Sequence, residues 1–166
     1  MASPAAASGL GTRLRHLLDQ LEGDIASLYP ALGLDDYRPR FTPVVRALVA
    51  GGPSSIRELA LAMGVTHSAA SQTVAQMSAR GLVTLEVGSA DARRRVVHLT
   101  PRARELLPVL ASEWEVVESA RADLEAELPY SLSELLSALE AALERRPFRD
   151  RIADAMARRD EYDDGR

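Results

Sequence analysis

Two short stretches of this chain carry side chains whose types and spacing suit chemistry. In the first, Gly88-Ser89-Ala90-Asp91-Ala92-Arg93-Arg94-Arg95, three successive arginines follow a turn of small residues. Guanidinium groups fork onto phosphates and enter narrow minor grooves. A turn has no folding reason to gather like charge, although a charged hairpin that protects a sheet edge is the competing reading. Asp91 can pair with a nearby arginine and hold the shape of the tip. In the second stretch no formally charged residue occurs between Thr66 and Ala79. On a helix this segment turns His67, Ser68, Ala69, Ser71, Gln72 and Gln76 outward. Glutamine pairs bidentately with adenine, serine donates or accepts, and a small apolar group touches a thymine methyl. A helix N-terminus also favours a phosphate. An ordinary solvated helix face usually carries Glu, Lys and Arg, and this one does not.

Catalysis has no comparable set. His16, His67 and His98 lie far apart on different elements, and none has a metal-ligand partner at helical spacing. The absence of cysteine removes disulfides, thiolate metal sites and thiol nucleophiles together. No nucleophile elbow, phosphate loop or dinucleotide fingerprint occurs. The expectation is therefore no enzyme, no metal and no cofactor. A small helical enzyme is the third-ranked reading, since its polar residues do not converge.

The elements that must position the two stretches follow from periodicity. Leu14, Leu17, Leu18, Leu21, Ile25 and Leu28 recur at helical spacing and predict an amphipathic helix over 12–29. Residues 34–39 read as a connecting loop. Thr42-Pro43 opens a second helix, and Gly51-Gly52-Pro53 closes it. Ser54 and Ser55 are both candidate N-caps, and Ser55 with Glu58 has the capping-box pattern. Ile56, Leu59, Ala60 and Met63 form one face, then Gly64 breaks the helix. Thr66 caps the next helix, which ends at Gly81 with Ala70, Val74 and Met77 inward. The spacing over 56–80 is that of a helix-turn-helix. The period then becomes extended over 82–87 and 95–99, a β-hairpin around the arginine tip. A long helix follows Thr100-Pro101, striped with Leu106, Leu110, Trp114, Val117, Leu124 and Leu128, kinked at Pro108 and ended at Pro129. Ser131 opens a leucine-striped helix to about Arg146, and a short helix follows Pro147.

Composition supports a helical domain. The chain has 166 residues, with 46% hydrophobic and only 4% aromatic side chains, which favours an Ala/Leu-rich core over a sandwich or barrel. The net charge of −4 argues by itself against a nucleic-acid partner. Its distribution reverses that. Residues 38–104 hold ten arginines against Glu58, Glu86 and Asp91, a net of +7, between flanks of −3 and −8. A basic middle within acidic flanks is the footprint of a nucleic-acid-contacting module on a non-contacting scaffold. No signal-peptide pattern and no membrane-spanning apolar run occur, so a cytoplasmic protein without membrane contact is expected.

The ordered residues now resemble a family. Ser55-Ile56-Arg57-Glu58-Leu59-Ala60, Met63-Gly64-Val65-Thr66-His67-Ser68-Ala69-Ala70-Ser71-Gln72, Met77-Ser78-Ala79-Arg80-Gly81-Leu82-Val83, the wing Asp91-Ala92-Arg93, and Val97-His98-Leu99-Thr100-Pro101 are similar to the MarR family of winged helix-turn-helix regulators. The resemblance covers about 42–107. It implies a homodimer on a pseudo-palindromic operator and a ligand pocket for a small-molecule effector. It also implies a recognition helix in the major groove and Arg93 in the minor groove. The chain departs from the family at Ala92, where Arg is common, at Thr73, a position expected inward, and at Ala70, smaller than the usual valine.

The expected fold is mainly α with a small β-hairpin wing: a winged helix-turn-helix lobe plus a helical dimerisation region. The segments are a disordered tip (1–11), an N-terminal dimerisation helix and loop (12–37), and the DNA-binding lobe (38–100). C-terminal dimerisation helices (101–159) and a flexible tail (160–166) follow. The expected function is a dimeric, sequence-specific transcriptional repressor that binds double-stranded DNA. The alternative is a winged-helix adaptor that binds protein and not DNA. The expected DNA-binding set is Ser54, Thr66, His67, Ser68, Ala69, Ser71, Gln72, Gln76, Arg93, Arg94 and Arg95, with Asp91 supporting the wing. Tyr29, Tyr37, Arg38, Arg40, Arg46 and Trp114 are candidates for an inter-lobe cleft. They read equally well as dimer core (Trp114, Tyr29) and phosphate contacts (the arginines).

Overall fold

Ser55, Thr66, Thr100 and Ser131 each take up an orphan amide at a helix start, and Gly52, Gly64 and Gly81 follow helix ends with positive φ. A computed structural model describes residues 9–87 and 95–164. The helices are α1 (Leu10–Leu28), α2 (Thr42–Gly51), α3 (Ile56–Ala62), α4 (His67–Ala79), α5 (Pro101–Ala126), α6 (Leu132–Arg145) and α7 (Phe148–Asp164). The strands are β1 (Ser54–Ser55), β2 (Val83–Val87) and β3 (Arg95–Leu99). Mainly helical architecture with a small antiparallel sheet is the class expected from the sequence.

The sheet has one strand more than the expected hairpin. β3 lies in the middle, with β2 on one side and β1 on the other, both antiparallel. Ser54 faces Val97 and Ser55 faces Val96. Two residues carry no readable period, so β1 has no signal in the sequence. Its pairing ties the start of α3 to the wing.

The chain divides into two units, Met1–Trp114 and Glu115–Arg166. In the first, one core gathers Val44, Val45 and Leu48 of α2, Leu59 of α3, Val74 and Met77 of α4, Val83 and Val97 of the sheet, and Leu110 of α5. The linker between α1 and α2 contributes as much as a helix. Tyr29, Leu34, Tyr37 and Phe41 are each at most 1% exposed. Tyr37 meets Tyr29 and Phe41 edge-on, at centroid distances of 5.6 and 5.7 Å, the geometry the ring quadrupoles favour. The stretch expected to be a plain loop is thus the aromatic centre of the core, shaped by 3-10 turns at Pro30–Leu32 and Pro39–Phe41.

In the second unit, Ser131 caps α6 by accepting from Glu134 N at 3.2 Å. The same hydroxyl donates to Glu125 Oε1 at 2.7 Å, and Ser133 N donates to that oxygen at 3.1 Å. Arg151 Nη2 donates to Ala142 O at 3.0 Å and pins α7 to α6. Two boundaries differ from expectation. α5 ends at Ala126, before Pro129, because proline disfavours helical backbone in the residue ahead of it. α7 runs on through Asp164, well into the stretch expected to be a flexible tail. Its Ala, Arg, Met and Glu are good helix formers and no Gly or Pro interrupts them.

Candidate nucleic-acid interface

Glu58 and Ser55 build the start of α3. Ser55 Oγ accepts from Glu58 N at 3.3 Å, and Glu58 Oε2 accepts from Ser55 N at 2.8 Å, a complete capping box. At the other end Gly64 adopts φ of 65°. Val65 N then reaches Ala60 O at 3.0 Å and Gly64 N reaches Leu61 O at 3.2 Å, the paired bonds of a Schellman stop. One residue later Thr66 Oγ1 accepts from Ala69 N at 3.2 Å and starts α4. Stop and start within three residues fix the angle between the two helices. Buried Ala60, 6% exposed, and Ala70, fully buried, are the small side chains that let them approach.

α4 buries Ala70, Val74 and Met77. Of the expected contact residues, Thr66, His67, Ser68, Ala69 and Gln72 are exposed on its N-terminal half, and Ser71 beside them is half-buried. Gln76 is half-buried. Its Oε1 is enclosed and, among the described residues, has no hydrogen-bond partner. Thr73, expected inward, is half-buried, and its hydroxyl donates back to Ala69 O at 3.1 Å, so its polar atom costs the helix little. Ser54 stands apart from this face. Its hydroxyl donates to Gly52 O at 2.9 Å and its backbone is in β1.

The wing strands pair in register from Val83 opposite Leu99 to Val87 opposite Arg95. Val97 and Leu99 point into the core and Arg95 is exposed at the outer end. Asp91, Arg93 and Arg94 lie outside the described residues. β2 follows α4 directly. Gly81, with φ of 68°, turns the chain out of α4, and Leu82 N caps Met77 O at 3.0 Å just before β2.

A second polar cluster lies in the same unit. Glu113 of α5 is 6% exposed, and Tyr29 donates its hydroxyl to Glu113 Oε1 at 3.5 Å. Burial pushes the Glu113 carboxyl above the usual carboxylate range, while the Tyr29 hydrogen bond and the Arg46 charge pull it down less strongly. Burial, then the charge of Glu113, pushes the Tyr29 hydroxyl up. Arg46 stacks its guanidinium over the Trp114 ring at 4.6 Å. Glu113 Oε2 and Trp114 Nε1 have no partner among the described residues. Sequence reasoning missed Glu113. Its signal was a carboxylate three residues after Leu110, at a position where the helical stripe calls for an apolar side chain. Trp114 and Arg46 were singled out, and the structure brings them together. Arg40 and Arg80 flank the Phe41 ring at 5.9 and 5.6 Å instead of joining that cluster. Among the described residues no three His, Asp or Glu side chains group as metal ligands, and no helix is long and apolar enough to cross a membrane.

Comparison with known proteins agrees with this geometry. Residues 42–95 match the model of the MarR family. No curated protein matches the sequence. Among solved structures the chain is similar to the transcriptional regulator BldR from Sulfolobus solfataricus. That pair is 27% identical, with 81% of this chain and 94% of that one covered, at a TM-score of 0.52. The structure of overoxidized AbfR bound to DNA shares the fold at 14% identity and a TM-score of 0.59, covering 81% and 88%. PcaV from Streptomyces coelicolor, in complex with its natural ligand, shares it at 23% identity and a TM-score of 0.55, covering 90% and 98%.

Proposed function

We propose that this chain, whose residues 42–95 match the MarR family model, is a MarR-type transcriptional regulator: a homodimeric cytoplasmic repressor that reads a pseudo-palindromic operator. The observation that carries this reading is the N-terminal half of α4. It presents exposed Thr66, His67, Ser68, Ala69 and Gln72 without a formal charge, on a helix capped and held at both ends. Such a surface fits the major groove, where short polar and small apolar side chains read base edges. Ser71 and Gln76 lie at its margin, and Ser54, in β1 and apart from this face, is assigned a separate DNA contact. Arg95 marks the root of the wing. Arg93 and Arg94, which precede it in the sequence, are assigned to the phosphate backbone and minor groove by their guanidinium chemistry, with Asp91 as their ion-pairing partner.

Dimerisation rests on a separate observation. Leu14, Leu17, Leu18 and Leu21 of α1 are 47–56% exposed, and α6 exposes Leu132, Leu135, Leu136 and Leu139 to a similar degree. Neither helix buries a residue. An exposed leucine stripe on each helix marks an interface, and a second copy of the chain doubles each DNA-reading element to match a palindrome. An effector that releases the operator completes the proposal, supported by the likeness to PcaV, which was solved with its ligand.

Selection of bound sequences from random duplex DNA tests the reading. The expected product is an inverted repeat with half-sites about 10 bp apart, one helical turn. Failure to enrich any sequence would sink it. Arg93→Ala is expected to weaken binding across sequences and to lower the salt slope by about 1.

A further inference from the structure

Three successive carbonyls at the end of α4 are taken up from the start of α5. Arg102 Nη1 donates to Arg80 O at 3.0 Å, Thr100 Oγ1 donates to Gly81 O at 2.8 Å, and Thr100 N donates to Leu82 O at 3.1 Å. Thr100 Oγ1 also accepts from Ala103 N at 3.1 Å, so the residue that holds α4 is the cap of α5. The other arm of the Arg102 guanidinium donates to Asp36 Oδ2 at 2.5 Å. Asp36 lies between Leu34 and Tyr37, two residues that are 1% exposed and locked to each other by Tyr37 N donating to Leu34 O at 2.9 Å. Its carboxylate is therefore a fixed point on the aromatic core.

We infer that Arg102 and Asp36 are positioning residues that hold the C-terminal end of α4 against the α1–α2 linker and so set the angle at which α4 meets DNA. This inference rests on the proposed reading of α4 as the base-contacting helix. The physical argument is leverage. A helix of 13 residues is about 20 Å long, so a tilt of about 5° at its C-terminal end displaces its first turn by about 2 Å. Hydrogen bonds to base edges do not survive such a displacement, because they weaken steeply with distance and angle. A planar fork is the group that can hold two acceptors in one geometry, which an ammonium cannot. It also places positive charge at the negative end of the helix dipole. Both side chains are about half exposed, 55% for Arg102 and 54% for Asp36. An exposed pair adds little to global stability, so its effect is confined to the end of α4 and to what that helix contacts.

The test compares wild type, Asp36→Asn, Arg102→Ala and the double variant on the selected operator, with salt titration. Each single variant is expected to lose about five- to tenfold in operator affinity, with the salt slope unchanged and nonspecific duplex binding kept. The double variant is expected to lose no more than Arg102→Ala alone. A slope that falls by about 1 in Arg102→Ala would make Arg102 a direct phosphate contact and overturn the inference. Additive losses, or an unchanged affinity in Asp36→Asn, would overturn it too. Hydrogen exchange on the free protein supplies a readout without DNA. The amides of Arg80, Gly81 and Leu82 are expected to exchange about fivefold faster in both single variants, and unchanged rates there would overturn the clamp. If wild type binds no duplex, the reading of α4 fails while the exchange experiment still decides whether the clamp exists. Should Arg102→Ala fail to fold, Asp36→Asn, which keeps the guanidinium, carries the same comparison.

Discussion

The winged-helix lobe and the leucine-striped helices use similar apolar residues to opposite ends. In the lobe every stripe closes on another element of the same chain. Val44, Val45, Leu59, Val74 and Met77 are all at most 2% exposed. α1 and α6 have stripes as regular as these, yet bury nothing. The difference lies in what surrounds them. The lobe has an aromatic linker, a sheet and three short helices that meet at a point. α1 packs only Ile25 against that core and leaves Leu14, Leu17, Leu18 and Leu21 exposed. One region is a finished core, and the other two helices each leave their leucines exposed.

The sharpest way to break this comparison is to attack both regions at their centres. Phe41→Ala, in the fully buried linker, is expected to destabilise the lobe by about 3–5 kcal/mol, read by denaturant unfolding. A loss below about 1 kcal/mol would show that the linker is a surface loop after all. Leu17→Asp is expected to leave the lobe folded and to convert dimer to monomer in sedimentation, since an unpaired buried charge costs about 3–5 kcal/mol. A variant that stays dimeric would place the interface elsewhere.

Two smaller effects sharpen the picture within the lobe. Ser55→Ala removes one half of the α3 capping box and is expected to cost about 1 kcal/mol, with Arg57→Ala, exposed on the same helix, as the unaffected control. Glu113 is the subtlest. Its carboxyl is raised, mainly by burial, so folding favours the protonated form. Its contribution to stability is fully present below the ordinary carboxylate value and is lost as pH rises through the raised one. Glu113→Gln keeps the shape and removes the titration. A flatter profile of thermal midpoint against pH is expected above the ordinary carboxylate value, with higher stability at neutral pH. An unchanged profile would mean that Glu113 is not the titrating group.

Much of the lobe was legible because its signals are local. Capping residues sit next to the helices they start, and Ser55, Thr66 and Ser131 all act where their spacing placed them. Gly64 and Gly81 take the left-handed conformation their positions required. The exposure of His67, Ser68, Ala69 and Gln72 on α4 follows from the 3.6-residue period. Gln76 shows the limit. It lies on the same face by counting, but its carbonyl oxygen is enclosed.

By itself the sequence determined the order of the helices and the two hairpin strands, the helix-turn-helix spacing, the basic middle segment and the MarR-like pattern. These depend on residues a few positions apart, where dihedral preference, capping and side-chain period decide the outcome. Only the tertiary structure decided that residues 34–41 form the aromatic core, that Ser54 and Ser55 pair with the wing, that Glu113 is buried beside Tyr29, and that Arg102 joins Asp36 to the end of α4. Each of those contacts joins elements far apart in the chain or buries side chains that follow no period. Their free energy comes from closing several elements at once, and no local pattern records that.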